Sequence, residues 1–413
     1  MRTHGIGSIV RTIGDVAIAS LPAGRVGDGV SIVSRSRRVI GGRIAAVERG
    51  RVAIVPFGSL VGIAVGDRVE STPDALDCVL GFGLLGRAID PSGRALDGGG
   101  TICGTRVRVA PTVSSPAQRQ SIDAIAWTGI RAIDGLLAFG RGARIGIFGA
   151  PGTGKTSLLE MLAAGRCFDA VVIGLVGERG REAEAWLRRI DRRSTVICAT
   201  ADRSAAERVR SAEVTMAQAC SLRERGFHVL LILDSLARYA AALRERASAL
   251  GEPPGRGGYP ASVWSEFGRF LESAGNYAHG SVTLVATVLV DGDEERDPVC
   301  VNARAALDGH LTLSPSLARA GRFPAIDVLA STSRTMCAVV DARHRDSAAA
   351  VRGGLARLAA TEDFRAAGLS DRDDPEFART AEVERALEAF LRQGDLERPD
   401  ATRAALHGLA ALM

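Results

Sequence analysis

The chain has 413 residues, 46% of them hydrophobic and 24% charged, which is typical of a water-soluble protein with two or three domains. Its formal net charge of +5 is small for this length and does not by itself indicate a nucleic-acid or membrane partner. No apolar run approaches the roughly 18–20 residues that span a bilayer, and the N-terminus lacks a signal-peptide layout, so we expect a cytoplasmic protein. The seven cysteines form no C-x-x-C pair, and no histidine stands near them at ligand spacing. We interpret the cysteines as small buried hydrophobic residues rather than as a disulfide framework or a metal site.

The periodicity of apolar residues divides the chain into four parts. Residues 1–72 contain short apolar runs separated by glycine turns, a pattern typical of a small antiparallel β-barrel or sandwich. A glycine-rich connector covers 73–128, and residues 343–413 are rich in Ala, Leu, Arg and Glu, which predicts a helical domain. Between them, over 129–342, strand-like runs alternate with helical stretches, as in a parallel sheet covered by helices. We predict strands at 145–148, 170–176, 195–199, 229–233, 281–290 and 326–330.

An apolar stripe marks the last part of the chain. Val383, Leu387, Phe390 and Leu391 fall on one face of a predicted helix. Such a stripe more often packs inside a protein than binds a partner, so we interpret it as part of the core. The predicted fold is multidomain α/β, with an N-terminal β-barrel, a central sheet and C-terminal helices.

The most informative segment lies at the start of the central domain, where an apolar run is followed by G-x-x-x-x-G-K-T and a helical pattern. This order distinguishes a phosphate-binding loop from a chance match. Its glycines let backbone N–H groups surround phosphate oxygens, and the next helix directs its positive end at the same charge. The lysine can reach the β- and γ-phosphates of a nucleoside triphosphate, and the threonine can ligate Mg²⁺. The predicted nucleotide-binding residues are Gly149, Ala150, Pro151, Gly152, Thr153, Gly154, Lys155 and Thr156.

Acidic residues follow two other predicted strands. Asp234 ends the run Val-Leu-Leu-Ile-Leu and fits the Mg²⁺-orienting acid of P-loop enzymes, although an Asp there can also cap a helix. Glu178 ends another run and can orient and deprotonate water beside the γ-phosphate. Glu182 is the second candidate for this base, but it also fits an acidic helix N-terminus. Because ligands of parallel sheets lie beyond the carboxyl ends of strands, we expect these acids to meet the loop.

Several motifs together resemble one family, the ATPases of type III protein export, which serve flagella and injectisomes and are similar to the subunits of rotary ATP synthases. The matching segments span roughly residues 80–340. They are Thr128-Gly-Ile-Arg-Ala-Ile-Asp-Gly-Leu-Leu137, Gly177-Glu-Arg-Gly-Arg-Glu182, Leu233-Asp-Ser-Leu-Ala-Arg-Tyr239, Gly251-Glu-Pro-Pro-Gly-Arg-Gly-Gly-Tyr-Pro260, Leu307-Asp-Gly-His310 and the run from Phe323 to Arg334. The resemblance implies a RecA-like P-loop domain in the centre of the chain.

The resemblance also implies roles for individual residues. Glu178 would be the general base, with Arg179 beside it compensating charge, while Asp234 and Thr156 would serve Mg²⁺. Phe323 would lie against the adenine of ATP. Arg334, which the residues alone describe only as a basic residue after a strand, would be the arginine that reaches the adjacent subunit's site.

Assembly and partners are likewise implied by the resemblance. The family forms homohexameric rings at the cytoplasmic face of the inner membrane, with a stator or regulator protein, a central stalk, an export gate and chaperone–substrate complexes as partners. A flagellar system, a rotary ATP synthase subunit and a nucleic-acid translocase similar to the terminator Rho are the alternatives. The last needs aromatic platforms for bases, yet Phe57 is the single aromatic of residues 1–72, so we expect no nucleic-acid partner.

The sequence departs from the family pattern in four places. Ala143 stands where Gln is usual, and Pro298–Asn302 replaces an acidic segment. Residues 366–372 lack the expected Gly-Ala-Tyr pattern, and the N-terminus starts short of the stretch that binds the stator regulator in many members. None of these changes touches the core catalytic positions, so we expect them to affect regulation and substrate handling.

Overall fold

The N-terminal part forms a closed six-stranded barrel. The computed structural model describes residues 5–109, 115–290, 292, 295–366 and 375–413. Neighbouring barrel strands are antiparallel, in the order β1-β2-β5-β4-β3-β6. Alternate residues point inward, among them Ile32, Ile44 and Ile54, which are fully buried. The strands are β1 (Ile6–Ile13), β2 (Val16–Ser20), β3 (Gly29–Val33), β4 (Val39–Glu48), β5 (Arg51–Pro56) and β6 (Arg68–Ser71).

The segment that we interpret as a connector has strands of its own. β7 (Asp77–Leu80) and β9 (Thr105–Arg108) form an antiparallel pair, whereas β8 (Arg87–Ile89) joins the edge of the central sheet. Short 3₁₀ turns cover Pro73–Leu76, Phe82–Leu84 and Pro116–Gln118.

The central domain is a nine-stranded sheet, and the described part of the chain places helices around it. The strand order is β17-β16-β10-β15-β13-β11-β12-β8, with β14 paired to β15. The strands are β10 (Arg144–Gly149), β11 (Ala170–Glu178), β12 (Ser194–Thr200), β13 (His228–Asp234), β14 (Gly275–Tyr277), β15 (Gly280–Leu289), β16 (Gly309–Leu313) and β17 (Ile326–Ser333). The helices are α1 (Arg131–Leu136), α2 (Lys155–Ala164), α3 (Gly180–Leu187), α4 (Ala205–Arg223), α5 (Leu236–Ala249), α6 (Ala261–Glu272), α7 (Pro298–Ala306), α8 (Pro315–Arg319) and α9 (Met336–Val339). A further 3₁₀ turn covers Arg256–Gly258.

The prediction of a parallel sheet covered by helices is confirmed, with two antiparallel exceptions: the predicted strand β17, and β14, which the sequence analysis did not predict. β17 runs antiparallel to β16, and β14 runs antiparallel to β15. The reversal of β14 follows from its two-residue turn to β15, because parallel neighbours need a crossover of a dozen or more residues. The reversal of β17 carries its last residue to the edge of the sheet at which β10 begins.

In the described residues after 341, three helices follow: α10 (Ala342–Ala366), α11 (Pro375–Leu391) and α12 (Pro399–Ala410). Leu387, Phe390 and Leu391 are buried against the central domain, which confirms that the apolar stripe is packing. A Cβ atom at Gly135 in α1 would lie 2.9 Å from the Phe390 ring, so the two helices meet closely there. The C-terminal helices are therefore part of the same core as the strands around the phosphate loop.

Two other sequence interpretations change with the structure. Four cysteines are buried as expected, but Cys103 and Cys337 are exposed because they lie in a surface turn and a one-turn helix. The departure at Pro298–Asn302 forms the start of α7 and buries Val299 and Cys300 in the core. The departure over 366–372 lies, after its first residue, outside the described residues.

No helix among those described is long and apolar enough to cross a membrane.

Candidate active site

The carboxyl ends of four adjacent parallel strands meet at one edge of the sheet. β10 ends in the glycine loop, β11 ends at Glu178 and β13 ends at Asp234. β15, which lies between β10 and β13, contributes Thr287. These ends surround a cavity of about 590 Å³, which is large enough for a nucleotide. Its lining residues are Pro151, Gly152, Gly154, Lys155, Thr156, Ser157, Glu178, Arg179, Glu182, Asp234, Ser235, Arg238, Thr287, Leu289 and Phe323.

The loop adopts a concave shape that only its glycines permit. Gly152 and Gly154 have φ of +80° and +87°, in the left-handed region that favours glycine. The hydroxyl of Thr153 donates to the carbonyl of Ala150 at 2.8 Å and ties the loop together. Helix α2 begins at Lys155, so its positive end and free N–H groups face the cavity.

Lys155 holds its ammonium group inside this concavity. Its Nζ donates to the carbonyls of Gly149 and Ala150 at 2.8 and 2.7 Å. Burial lowers the pKa of Lys155, and the negative charges of Asp234, Glu178 and Glu182 oppose that shift. A cation held beside carboxylates in a half-buried loop suits the binding of a phosphate chain.

Glu178 is a buried acid of the cavity whose pKa is strongly raised. Its residue is 5% exposed, and its carboxylate pairs with the Arg238 guanidinium at 2.9 Å. Burial, a hydrogen bond with Glu182 and the charge of Asp234 raise the pKa of Glu178, and Arg238 acts in the opposite direction. The same hydrogen bond lowers the pKa of Glu182. Glu178 therefore holds its proton more tightly than an ordinary glutamate does, and Glu182 loses its proton more readily.

A bulge in β11 sets the direction of the Glu178 side chain. Gly177 has φ of +71°, and the pairing of β11 with β12 shifts between Val176 and Glu178. Bulges beside active sites commonly re-aim a side chain. The Gly177 carbonyl also accepts a hydrogen bond from Arg238, so the arginine fixes both the backbone and the carboxylate.

The remaining predicted residues lie as follows. Thr287 Oγ1 donates to Asp234 Oδ1 at 2.6 Å, and burial raises the pKa of Asp234. The carboxylate of Asp234 and the hydroxyl of Thr156 both line the cavity, and such oxygens fit Mg²⁺. Arg179 is exposed at the rim. Phe323 is 45% exposed, and its ring lies over Gly154, where a Cβ would be 3.2 Å from Cε1.

Arg334 is not among the residues that line this cavity. Ser333 pairs with Gly309, which pairs with Ile145 at the start of β10, whereas the loop follows the end of β10. The length of that six-residue strand, roughly 17 Å at about 3.3 Å per residue, separates Arg334 from its own loop. Arg334, which the family resemblance implies to reach a neighbouring subunit's site, therefore lies outside the site of its own chain.

Among the cavity residues that sequence reasoning missed, Arg238 and Thr287 contact the predicted acids. Arg238 stands four residues after Asp234, at the strand–helix junction that already faces the site, so that spacing could have revealed it. The expected partner of Glu178 was Arg179, but the ion pair forms with Arg238 because α5 turns its first residues toward β11. Thr287 carries no signal, since a threonine in an apolar strand resembles a core residue.

Comparisons with known proteins agree with this geometry. Residues 129–333 match the ATP synthase alpha/beta family, nucleotide-binding domain. A type 3 secretion system ATPase of Sinorhizobium fredii is 40% identical over 402 residues, which are 95% of this chain and 89% of the relative. A flagellum-specific ATP synthase of Salmonella typhimurium is 40% identical over 367 residues, which are 85% of this chain and 80% of the relative.

Solved structures are also similar to this chain. The assembled ATPase EscN of the enteropathogenic E. coli type III secretion system superimposes with a TM-score of 0.90 at 34% identity. The same ATPase in complex with its central stalk EscO superimposes with a TM-score of 0.88 at 33% sequence identity. Both matches cover 98% of this chain and 100% of the other, so the similarity includes the barrel, the central domain and the C-terminal helices.

Proposed function

We infer the function of this chain from its family, because it belongs to the ATPases of type III protein secretion and flagellar protein export, which share the nucleotide-binding domain of ATP synthase subunits. It is an ATPase. We propose that it hydrolyses ATP to drive chaperone release, unfolding and export of proteins through a type III secretion system. The observation that carries this proposal is the convergence of the loop, Glu178 and Asp234 on one cavity. Flagellar export is the alternative, because relatives of both names match at 40% identity.

The chain's own residues supply binding and orientation. Lys155 and the N–H groups at the start of α2 would bind the phosphates, and the ring of Phe323 would lie against the adenine. Thr156 and Asp234 would hold Mg²⁺, with Thr287 orienting the acid, and the ion would neutralise charge on the phosphates.

Glu178 would act as the general base. Water attacks the γ-phosphorus and gives its proton to Glu178, the bond to the β-phosphate oxygen breaks, and ADP and phosphate result. The reaction needs Glu178 ionised, although its pKa is raised. Arg238 lowers that pKa and so favours the reactive form.

We propose a homohexameric ring in which Arg334 completes the site of the next subunit. Its distance from its own loop and its exposure support this role, because an arginine supplied by a neighbour can accelerate phosphoryl transfer by roughly 10³–10⁵. The EscN structures, an assembled ATPase with and without a central stalk, support a ring around a stalk. A stator or regulator, an export gate and chaperone–substrate complexes at the cytoplasmic face of the inner membrane complete the proposed partners.

A nucleic-acid partner is not part of this proposal. Phe57, the one aromatic residue of the barrel, is buried with the Arg210 guanidinium 4.5 Å from its ring. It is therefore engaged inside the protein rather than presented to a base. Strong stimulation of hydrolysis by single-stranded RNA would contradict this.

Hydrolysis by the purified chain tests the proposal. We expect specific activity to rise with protein concentration as rings form, and Glu178→Gln to lower kcat by about 10²–10⁴ while ATP still binds. Glu182→Gln, which changes the hydrogen-bond partner of Glu178, should lower kcat much less. Turnover that survives in Glu178→Gln but is lost in Glu182→Gln would move the base to Glu182.

A further inference from the structure

The backbone around Arg334 is fixed on both sides at the amino edge of the sheet. Ser333 Oγ donates to the Ala138 carbonyl at 2.7 Å, and Thr335 Oγ1 accepts from the Gly140 N–H at 3.3 Å. Arg334 itself is exposed, and within the described residues its guanidinium donates a single long bond, of 3.4 Å, to the Arg304 carbonyl in α7. A fixed backbone with an exposed guanidinium is the arrangement expected of a residue that reaches outward.

The backbone of Arg334 is held by Asp308. The Arg334 N–H donates to the Asp308 carbonyl at 2.9 Å. Gly309, next along the chain, permits this approach, because a Cβ there would lie 2.6 Å from the Thr332 carbonyl and 3.2 Å from Ser333 Cα. The two strands are thus in tight contact where Arg334 leaves β17.

Asp308 is in turn held by Arg144, the first residue of β10. Its carboxylate accepts from Arg144 Nε at 3.0 Å, from Nη2 at 3.1 Å and from the backbone N–H at 2.9 Å. The Asp308 N–H donates to the Arg144 carbonyl at 2.8 Å. Two-pronged arginine–carboxylate pairs are among the strongest and most directional contacts in proteins. The side chains are 14% and 22% exposed, so water screens the pair little.

We propose that Asp308 is a positioning residue for Arg334. The fork to Arg144 fixes the backbone of Asp308, and the Asp308 carbonyl fixes the backbone from which the Arg334 guanidinium extends. The inference rests on the proposed function, in which Arg334 serves the neighbouring subunit. Asp308 does not line its own nucleotide cavity, so its loss should impair the neighbour's catalysis and leave nucleotide binding in its own subunit intact.

A loss of hydrolysis on changing Asp308 could also have a second cause, which the experiment has to distinguish from the loss of Arg334 positioning. β10 runs from Arg144 to the phosphate loop, so a change at Asp308 could instead disturb the loop of the same subunit. Mixed rings distinguish the two. A Lys155→Ala subunit has no working loop but still offers its arginine to a neighbour, so it can rescue a subunit that lacks only the arginine's function.

The experiment uses the full chain at concentrations where wild type is assembled. Asp308→Asn keeps the side-chain shape but removes the charge that Arg144 binds. Glu272→Gln is the matched control, because Glu272 pairs with a different nitrogen of the same Arg144. Arg334→Ala is the reference for loss of the arginine. Each variant is assayed for hydrolysis, alone and mixed with an equal amount of Lys155→Ala, and for binding of a fluorescent ATP analogue.

We expect Asp308→Asn alone to lower kcat by about 10- to 100-fold, as a misplacement of about 1 Å does, with analogue binding unchanged. Mixing with Lys155→Ala should restore up to about a quarter of the wild-type rate, because half the subunits keep a working loop and half of their neighbours supply the arginine. An equal mixture of Arg334→Ala and Lys155→Ala should recover activity to the same extent. Glu272→Gln should hydrolyse ATP like wild type.

Four results would overturn the inference. Wild-type turnover by Asp308→Asn would show that Arg334 needs no such anchor. Rescue of Arg334→Ala but not of Asp308→Asn, or a loss of analogue binding in Asp308→Asn, would place the defect in its own loop. Failure of the Arg334→Ala mixture itself would refute the inter-subunit arginine, and with it both the proposed role of Arg334 and this inference.

Discussion

Replacing Arg238 by methionine should shift the pH dependence of hydrolysis to higher pH. Glu178 must be ionised to accept a proton, and its pKa is raised by burial, by its hydrogen bond with Glu182 and by the charge of Asp234. Activity should therefore rise with pH as Glu178 loses its proton. The Arg238 guanidinium, 2.9 Å from the Glu178 carboxylate, favours the ionised form, so removing it raises the pKa further.

The size of the shift follows from the geometry. An opposite charge within contact distance lowers a carboxyl pKa by roughly 1–3 units. The Arg238 side chain is 32% exposed and partly screened by water, so we expect the lower end, about one unit. Below the pKa each unit reduces the ionised fraction about tenfold, so kcat/KM at neutral pH should fall about tenfold while the rate at high pH recovers.

The assay is the pH profile of kcat/KM for wild type and the variant, which reports groups of the free enzyme. Arg179→Gln is the control, because Arg179 is an exposed arginine at the same rim that forms no described ion pair with Glu178. Its profile should shift much less. Coincident profiles for wild type and Arg238→Met, or a larger shift for Arg179→Gln, would refute the pairing as the control of the Glu178 proton and return that role to Arg179.

Two further predictions concern hydrogen bonds to buried carboxylates. Thr287→Val keeps the side-chain shape but removes the donor to Asp234, so the Mg²⁺ concentration for half-maximal hydrolysis should rise about tenfold, since a hydrogen bond to a charged group is worth about 1.5–3 kcal/mol. Thr287→Ser retains the hydroxyl and should stay near wild type; equal Mg²⁺ dependence in the Val and Ser variants would contradict the role of the hydroxyl. Asp134→Asn should lower the free energy of unfolding by about 1–3 kcal/mol, measured by urea denaturation, because the buried carboxylate accepts bonds from the Thr128 N–H and hydroxyl and from the Gly129 N–H. An unchanged unfolding midpoint would show that an amide satisfies these donors equally well.

The sequence predicted the features of this protein that depend on contiguous residues. Strand, glycine loop and helix follow each other without interruption around Lys155, so the loop needs no distant contact to be found. Glu178 and Asp234 were predicted as site residues because each ends an apolar strand, and ends of parallel strands share one edge. The barrel and the C-terminal helices were likewise visible in local periodicity.

Tertiary structure alone decided which side chains meet. Whether Glu178 pairs with Arg179 or Arg238 depends on the direction in which α5 leaves β13, and the contact of Thr287 with Asp234 depends on which strand lies next to β13. The antiparallel course of β17, which takes Arg334 away from its own loop, depends on strand order as well. Strand order and register are set by packing between segments far apart in the chain, and no local pattern of residues encodes them.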